Sequence, residues 1–426
     1  MQEAFLHYLW KFKKFELHNL KTTSGDVIIV SSVGHHNDDS GPDFFNGQLE
    51  IDGQLWAGNI EIHIKSSDWY KHRHEVDKNY DNVILHVVWE HDVEVFRKDQ
   101  SIIPTLELKN YINSKLLNNY RKLFNKQQQW INCEKDIGAV DNFILENWLE
   151  RLYLERLERK SLEINALLRA SNNNWEAVFF KMLFKNFGLK VNGDAFFSVA
   201  SSFEFSMIRK LHSNLLHIEA LLYGQSGLLD VPHEDVYFRA LIKEYDFLKQ
   251  KFQLSTNGIV PVQFFRLRPQ NFPTIRMSQL ANLYHKSQNI FSKAIEIQTT
   301  SEAYKLFEIG VSNYWETHFT FSKVSKASNK KLSKAFIDLV LINTIVPIKF
   351  AYAKHLGKDA NDGILKLIRE IKPETNSIIN KFKELKISAD SAFKTQALLQ
   401  LKNDYCFKNK CLSCAIGNTL LNNYES

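Results

Sequence analysis

Hydrophobic and polar residues alternate along four runs of the first 95 residues, and a period of two is typical of strands. The four runs are "DVIIVSSV", "FNGQLEI", "LWAGNIEIHIK" and "NVILHVVWE". "DGQ", at Asp52–Gln54, predicts a tight turn between the second and third. Helical spacing is expected from Glu3 to Phe12 and from Trp69 to Tyr80. The predicted order is therefore helix, strand, strand, strand, helix, strand.

The pattern changes after Asn142, where apolar residues recur at steps of three and four, as in "NFILENWLERLYLERLERKSLEINALL". This period predicts a large, mainly α-helical region. We therefore expect an α+β protein with a small mixed-sheet core flanked by helices over residues 1–110. A linker would follow over 111–139, with its most polar part from Lys122 to Gln129, and a mainly helical domain with a C-terminal cysteine cluster over 140–426.

Composition limits the class of protein and its compartment but indicates no function. Of 426 residues, 44% are hydrophobic and 24% charged, which is typical of a globular protein, and the net charge of +6 is too small to identify a partner. The most apolar run, 335–353, includes Asp338, Pro347 and Lys349, which favours a buried helix ending near Pro347 over a membrane crossing. Four cysteines without a signal peptide predict a cytoplasmic protein with no disulfide framework.

Candidate chemistry lies on the second and third strands. Asp43 follows Pro42 at the start of the second strand, while Glu61, His63 and Lys65 alternate along the third and so share one face. A hairpin would return the end of the third strand to the start of the second, beside Asp43. Two carboxylates with a neighbouring lysine suit a Mg²⁺ or Mn²⁺ site, where the metal activates water and the lysine stabilises the developing anion.

A second interpretation treats these side chains as the solvated face of a half-buried sheet. Further polar residues follow in the same small unit, among them His72, His74 and His86. His86 stands inside the apolar run "VILHVV", where a histidine is either a core residue with one hydrogen bond or a member of the site.

This order of elements, with Pro42-Asp43 on the second strand and an acidic, lysine-ended third strand, resembles the core of PD-(D/E)xK nucleases over about the first 95 residues. The resemblance implies a restriction-endonuclease-like fold, metal-dependent hydrolysis of DNA or RNA, and Glu3 as a further acid on the first helix. The spacing departs from acid, any residue, lysine. Either Glu61 is the ligand and His63 the third group, or His63 replaces the acid beside Lys65.

The alternative to an enzyme is a nucleic-acid- or protein-binding module that retains a nuclease-like core without activity. The sequence contains no helicase phosphate-binding motif, so any helicase partner would be a separate chain.

A second resemblance extends along nearly the whole chain. "SGPDFFNGQLEI", "GNIEIHIKSSDWYKHRHEVDKNYDNVILHVV", "GQSGLL", "RLRPQNFPTIRMSQLA" and "CLSCAIG" occur in one order. Together they are similar to a bacterial family classified as a domain of unknown function, the 2851 family. This resemblance implies no activity.

Two further motifs carry possible ligand chemistry. Cys406, Cys411 and Cys414 lie within nine residues, and with Cys133 they predict a zinc or iron–sulfur site of structural role, unless they are ordinary thiols. "RLRPQNFPTIR" holds Arg266, Arg268 and Arg276 around two prolines. These arginines are expected either to contact nucleic-acid phosphates or to pair inside the fold.

Overall fold

The chain forms two compact units in the computed structural model, which describes residues 1–125 and 129–422. The first unit contains residues 1–148 and the C-terminal segment from residue 402 onward, and the second contains residues 149–401. The expected α+β architecture is confirmed, with an N-terminal mixed sheet and a large helical region. The cysteine-containing C-terminal segment, which the sequence placed with the helical region, packs with the sheet unit.

The first unit is built on a seven-stranded sheet in which β3 pairs with β4 beside the order β1-β2-β4-β5-β6-β7. The strands are β1 Leu20–Lys21, β2 Val27–Ser32, β3 His35–His36, β4 Phe44–Ile51, β5 Gln54–Lys65, β6 Val83–Glu90 and β7 Thr105–Glu107. β1, β2, β4 and β5 pair antiparallel in that order, whereas β6 is parallel to β5 and β7 is parallel to β6. The predicted turn between β4 and β5 forms at Asp52 and Gly53, both with positive φ.

Three helices accompany the strands of this unit: α1 Glu3–Lys11 before β1, α2 Asp68–Lys71 between β5 and β6, and α3 Ser114–Leu123 after β7. The single helix expected from Trp69 to Tyr80 is wrong. Arg73 adopts a left-handed conformation with φ of 62°, which ends α2, and two 3₁₀ turns follow at His74–Val76 and Lys78–Tyr80. Trp69 and Tyr80 anchor this segment in the core with Val83, Val95 and Ile103.

α3 lies within the stretch expected to be a linker, and Lys126–Gln128 are outside the described residues. α4 Asn142–Ala170 then begins the helical region. The further helices are α5 Trp175–Phe187, α6 Leu189–Ser201, α7 Phe205–Leu211, α8 Leu215–Gln225, α9 Val236–Phe252, α10 Pro273–Lys286, α11 Ile290–Glu296, α12 Thr300–Leu306, α13 Asn313–Glu316, α14 Lys334–Val340, α15 Val346–His355, α16 Asn361–Glu370, α17 Ser377–Glu384, α18 Ala392–Gln400 and α19 Ala415–Asn422. A small hairpin pairs β8 His318–Thr320 with β9 Lys323–Val324.

Pro347 does not end the apolar helix as expected. A π-helical turn at Leu341–Ile345 joins α14 to α15, so the widened turn accommodates the proline that lacks an N–H group. Within the described residues, this 22-residue helix, Lys334–His355, is the one that length and composition would allow to cross a membrane. In the structure, 67% of its apolar window is buried, and Lys349 donates to the carbonyl oxygens of Ile295 and Ile297.

Candidate metal centre

The hairpin brings the start of β4 next to the middle of β5. Phe44 pairs with Ile60, and the Asp43 N–H donates to Glu61 Oε2 at 3.2 Å. The Ile62 N–H in turn donates to Asp43 Oδ2 at 2.9 Å. The carboxyl groups of Asp43 and Glu61 are therefore fixed beside each other by two backbone contacts between adjacent strands.

Burial excludes the interpretation of a solvated strand face. Glu61 is 4% exposed and His63 is 1% exposed, although both carry side chains that normally remain in water. Buried polar groups need partners, so these two residues require a specific local arrangement.

Three imidazole rings converge on the same point. His63 Nε2 lies 3.0 Å from His72 Nδ1, and the ligand nitrogens of His63, His72 and His74 all lie within 4.8 Å of one another. Glu61 Oε1 is 3.5 Å from His63 Nε2 and 3.3 Å from His74 Nε2. Tyr80 stacks on the His74 ring with centroids 3.7 Å apart, which restricts its orientation.

His86 supports this cluster from the neighbouring strand. β6 pairs in parallel with β5, which places His86 opposite Glu61, and His86 Nε2 contacts His63 Nδ1 at 2.9 Å. His86 is completely buried, and its Nδ1 atom has no partner among the described residues. His86 therefore contacts the site directly and is not a core histidine whose hydrogen bonds lie elsewhere.

Burial dominates the electrostatics of Glu61 and of the histidines around it. Burial, followed by repulsion from Asp43, raises the pKa of Glu61 to about 9. Burial, followed by the adjacent His86, His74 and His72, lowers the pKa of His63 to about 2. Burial also lowers the pKa of His86 to about 3. Neutral imidazoles are the form that binds metals, and a cation would favour the ionised form of Glu61, so these residues fit a bound metal ion.

α1 contributes two more residues to the electrostatics of the site. Burial and the nearby Asp43 raise the pKa of Glu3, the acid expected on the first helix. His7, which the sequence analysis missed, lies with Nε2 3.3 Å from Asp43 Oδ2, and this contact raises its pKa despite burial. The sequence signal for His7 was its spacing: it follows Glu3 by four residues, and positions i and i+4 lie on the same face of a helix.

Lys65 occupies a different position from the one that the sequence suggested. It lies at the end of β5 with its side chain 45% exposed, and its Nζ atom is 3.9 Å from Glu90 Oε1 and 4.0 Å from Asp92 Oδ2. The ammonium therefore lies beside acids at and just after the end of β6, because β5 and β6 are parallel and end at the same edge of the sheet.

The four cysteines are free and belong to the same unit. Burial, and then the neighbouring thiols, raise the pKa of Cys406 to about 12 and that of Cys133 well above its usual range, so the four groups lie within electrostatic range. Asn132 Nδ2 donates to Cys411 Sγ at 3.4 Å. In the described part of the chain, however, no three of these sulfurs lie within 4.8 Å of one another.

The three arginines of the proline-containing loop separate into two groups. Arg276 is buried, donates to Asn271 and Gln279, and lies over the Phe336 ring, so of the two alternatives it follows pairing inside the fold and not contact with nucleic acid. Its guanidinium group is already used inside the helical unit. Arg266 and Arg268 are exposed, and Arg266 lies over the exposed ring of Phe265.

Residues 3–377 match the family model described as a protein of unknown function, DUF2851. No curated protein and no solved structure matches the chain.

Proposed function

This chain belongs to the DUF2851 family of proteins of unknown function, and we propose from its site that it is a metal-dependent nuclease. The reaction would be hydrolysis of phosphodiester bonds in DNA or RNA, with Asp43, Glu61 and His63 at its centre.

The observation that carries this proposal is the contact between the Asp43 N–H and Glu61 Oε2. It joins the Pro-Asp pair that begins β4 to an acid within β5, which is the arrangement that a PD-(D/E)xK-like site requires. The preceding α1, the antiparallel β2, β4 and β5, and the parallel β6 follow the order of that nuclease pattern. This likeness of order supports the proposal and does not by itself establish a common fold.

The residue that stands two positions after the acid is a histidine. With Glu61 as the acid, His63 takes the place where the resembled motif has lysine. A buried imidazole with a pKa of about 2 carries no positive charge near neutral pH, so it cannot replace lysine as a cation. It can serve as a neutral metal ligand.

The residues of the chain would divide the work of hydrolysis. A divalent metal ion activates water and bears phosphate charge when bound. Glu61 and His63 would hold this ion. Asp43, fixed by the Ile62 N–H and by His7, would orient the attacking water or a further ligand of the metal. Glu3 would add negative charge on the α1 side.

Nucleic acid is the proposed substrate, and Arg266, Arg268 and Phe265 are the proposed contacts in the helical unit. An exposed aromatic ring can stack on a base while arginines bind the phosphates. Neither base stacking nor phosphate binding depends strongly on the base sequence of the nucleic acid, which suits a nuclease without strong base specificity.

The test measures cleavage of single-stranded DNA, duplex DNA and RNA with Mg²⁺, Mn²⁺ or Zn²⁺. Asp43→Asn and Glu61→Gln are expected to reduce cleavage by at least about 100-fold, whereas the control Asp81→Asn, an exposed acid outside the site, should retain it. Lys65→Met is expected to spare metal binding, because its ammonium lies beside Glu90. Binding of nucleic acid without cleavage by the intact protein would favour the binding module instead.

We propose in addition that the four cysteines hold an iron–sulfur cluster, with zinc as the alternative. A single zinc ion with bonds of ~2.3 Å requires sulfurs about 3.8 Å apart, and a multi-iron cluster holds its ligands more widely. Burial and then the neighbouring thiols raise the pKa of Cys133 and of Cys406, which supports a site shared by the four cysteines. Iron and acid-labile sulfide in protein purified without oxygen would support the cluster, whereas zinc at one equivalent in the same thiols would replace it.

A further inference from the structure

The imidazole cluster contains more nitrogen donors than a Mg²⁺ site uses. Magnesium binds oxygen ligands and retains several waters, whereas imidazole favours zinc and other transition metals. The ligand nitrogens of His63, His72 and His74 all lie within 4.8 Å of one another, and Oε1 of Glu61 lies beside two of these rings, those of His63 and His74. Three imidazole nitrogens next to a carboxylate are a donor set for a borderline-soft ion.

The separations between these atoms match the size of such an ion. Zinc–nitrogen bonds of ~2.0–2.1 Å in a tetrahedral site place neighbouring donors about 3.3 Å apart. The observed separations are 3.0 Å for His63 to His72, 3.3 Å for His74 to Glu61 and 3.5 Å for His63 to Glu61.

Surrounding residues hold the rings in place. His63 can donate the N–H of its second ring nitrogen, Nδ1, to His86 Nε2, which leaves Nε2 of His63 as the nitrogen that can bind a metal. Tyr80 stacks on His74, and Trp69 packs edge-on against the same ring at 5.3 Å between centroids. Only His72 among the three rings is exposed, so solvent reaches the centre from its side.

We propose that His63, His72 and His74 bind one transition-metal ion beside the Glu61 carboxyl group, and Zn²⁺ is the probe of choice. The exposed side leaves room for a water ligand, as a catalytic centre requires. This assignment rests on the same site as the proposed nuclease and names its metal, but it does not depend on the reaction.

The experiment uses the full chain, stripped of metal with a chelator and titrated with Zn²⁺, Mn²⁺ or Mg²⁺. His72→Ala is the principal variant because His72 is exposed, and His18→Ala is its matched control, an exposed histidine outside the cluster. We expect wild type and His18→Ala to bind Zn²⁺ more tightly than Mg²⁺, and His72→Ala to lose at least about 100-fold in Zn²⁺ affinity. Circular dichroism of each variant checks the fold.

Cobalt separates this centre from the cysteines. Co²⁺ bound by imidazole and carboxylate lacks the near-ultraviolet charge-transfer absorption of cobalt thiolates, and its visible bands should disappear in His72→Ala. Equal Zn²⁺ affinity and unchanged cobalt bands in wild type and His72→Ala would overturn the assignment, even if the protein cuts nucleic acid with Mg²⁺. A protein that binds Zn²⁺ as expected but cuts no nucleic acid would retain this centre and refute the nuclease.

Discussion

Individual residues of the site could be predicted only where the strand period fixed their direction. Asp43, Glu61 and His63 follow from a hairpin with one tight turn, because that turn determines which residues face each other. The partners of Lys65 could not be predicted in the same way. Glu90 and Asp92 become its neighbours only because β6 is parallel to β5, and a single sequence does not specify that pairing.

His86 provides a residue-scale test of how the centre is held. We expect His86→Phe to weaken Zn²⁺ binding by about 10–100-fold, because it removes the acceptor that orients His63. His86→Gln, whose side-chain oxygen can still accept from His63 Nδ1, should retain more of the affinity. Titration calorimetry at two pH values measures both. Equal losses in the two variants would show that His86 acts through packing alone.

Glu219 in α8 predicts a pH dependence in the helical unit. It accepts from Ser278 and Tyr237, yet burial raises its pKa from 4.5 to about 6. A raised pKa contributes stability below pH 4.5 that is lost as the pH rises through 6. The wild-type free energy of unfolding should therefore fall by about 2 kcal/mol relative to Glu219→Gln between pH 4 and pH 8.

Chemical denaturation across this pH range measures the difference, with Glu234→Gln, an exposed acid before α9, as the control. The difference between wild type and the control should stay constant with pH. A constant difference for Glu219→Gln as well would mean that Glu219 is ionised in the folded state to the same extent as in the unfolded chain.

At the scale of elements, periodicity predicted the long strands and helices and failed where one residue changes the backbone. The expected helix from Trp69 to Tyr80 stops at Arg73, and no composition signal marks that position, because left-handed backbone is usually indicated by glycine or asparagine. The helix through Pro347 continues because of a π turn at Leu341–Ile345, which a period of 3.6 does not predict.

The turn at Arg73 is expected to position His72 and His74, since it separates them. Arg73→Gly should retain the fold and Zn²⁺ binding, because glycine adopts positive φ without strain. Arg73→Val should lower stability by about 1–2 kcal/mol, because a β-branched side chain is strained there. Thermal unfolding and Zn²⁺ titration of the two variants give the comparison. Similar behaviour of both would separate the metal centre from this turn.

At the scale of the whole molecule, the C-terminal segment completes the sheet unit although the helical unit interrupts it in sequence. Asn422 Nδ2 donates to Tyr8 at 3.1 Å, and Asn119 donates to the Leu421 carbonyl at 3.1 Å. Lys402 Nζ donates to the Trp130 carbonyl at 2.7 Å. The position of this segment after the helices predicts a place in the helical region, since nothing in its hydrophobic period reveals a return to an earlier unit.

This interruption predicts how fragments of the chain behave. Residues 149–401 are continuous and form one compact unit, so they should fold alone with a cooperative, helical transition. Residues 1–148 alone should unfold at lower temperature or aggregate, because they lose the partners of Tyr8, Asn119 and Trp130. A chain in which a short Gly/Ser linker connects residue 148 to residue 402 should restore the fold and the Zn²⁺ centre.

The linker is feasible because the Trp148 ring packs on Tyr405 with centroids 5.3 Å apart, which brings the two chain ends of the unit together. Circular dichroism, thermal unfolding and Zn²⁺ titration should rank the linked fragment near the full chain and residues 1–148 far below it. If residues 1–148 alone bound Zn²⁺ with full-chain affinity, the C-terminal segment would be a separate attachment, and only the cysteine site would depend on it.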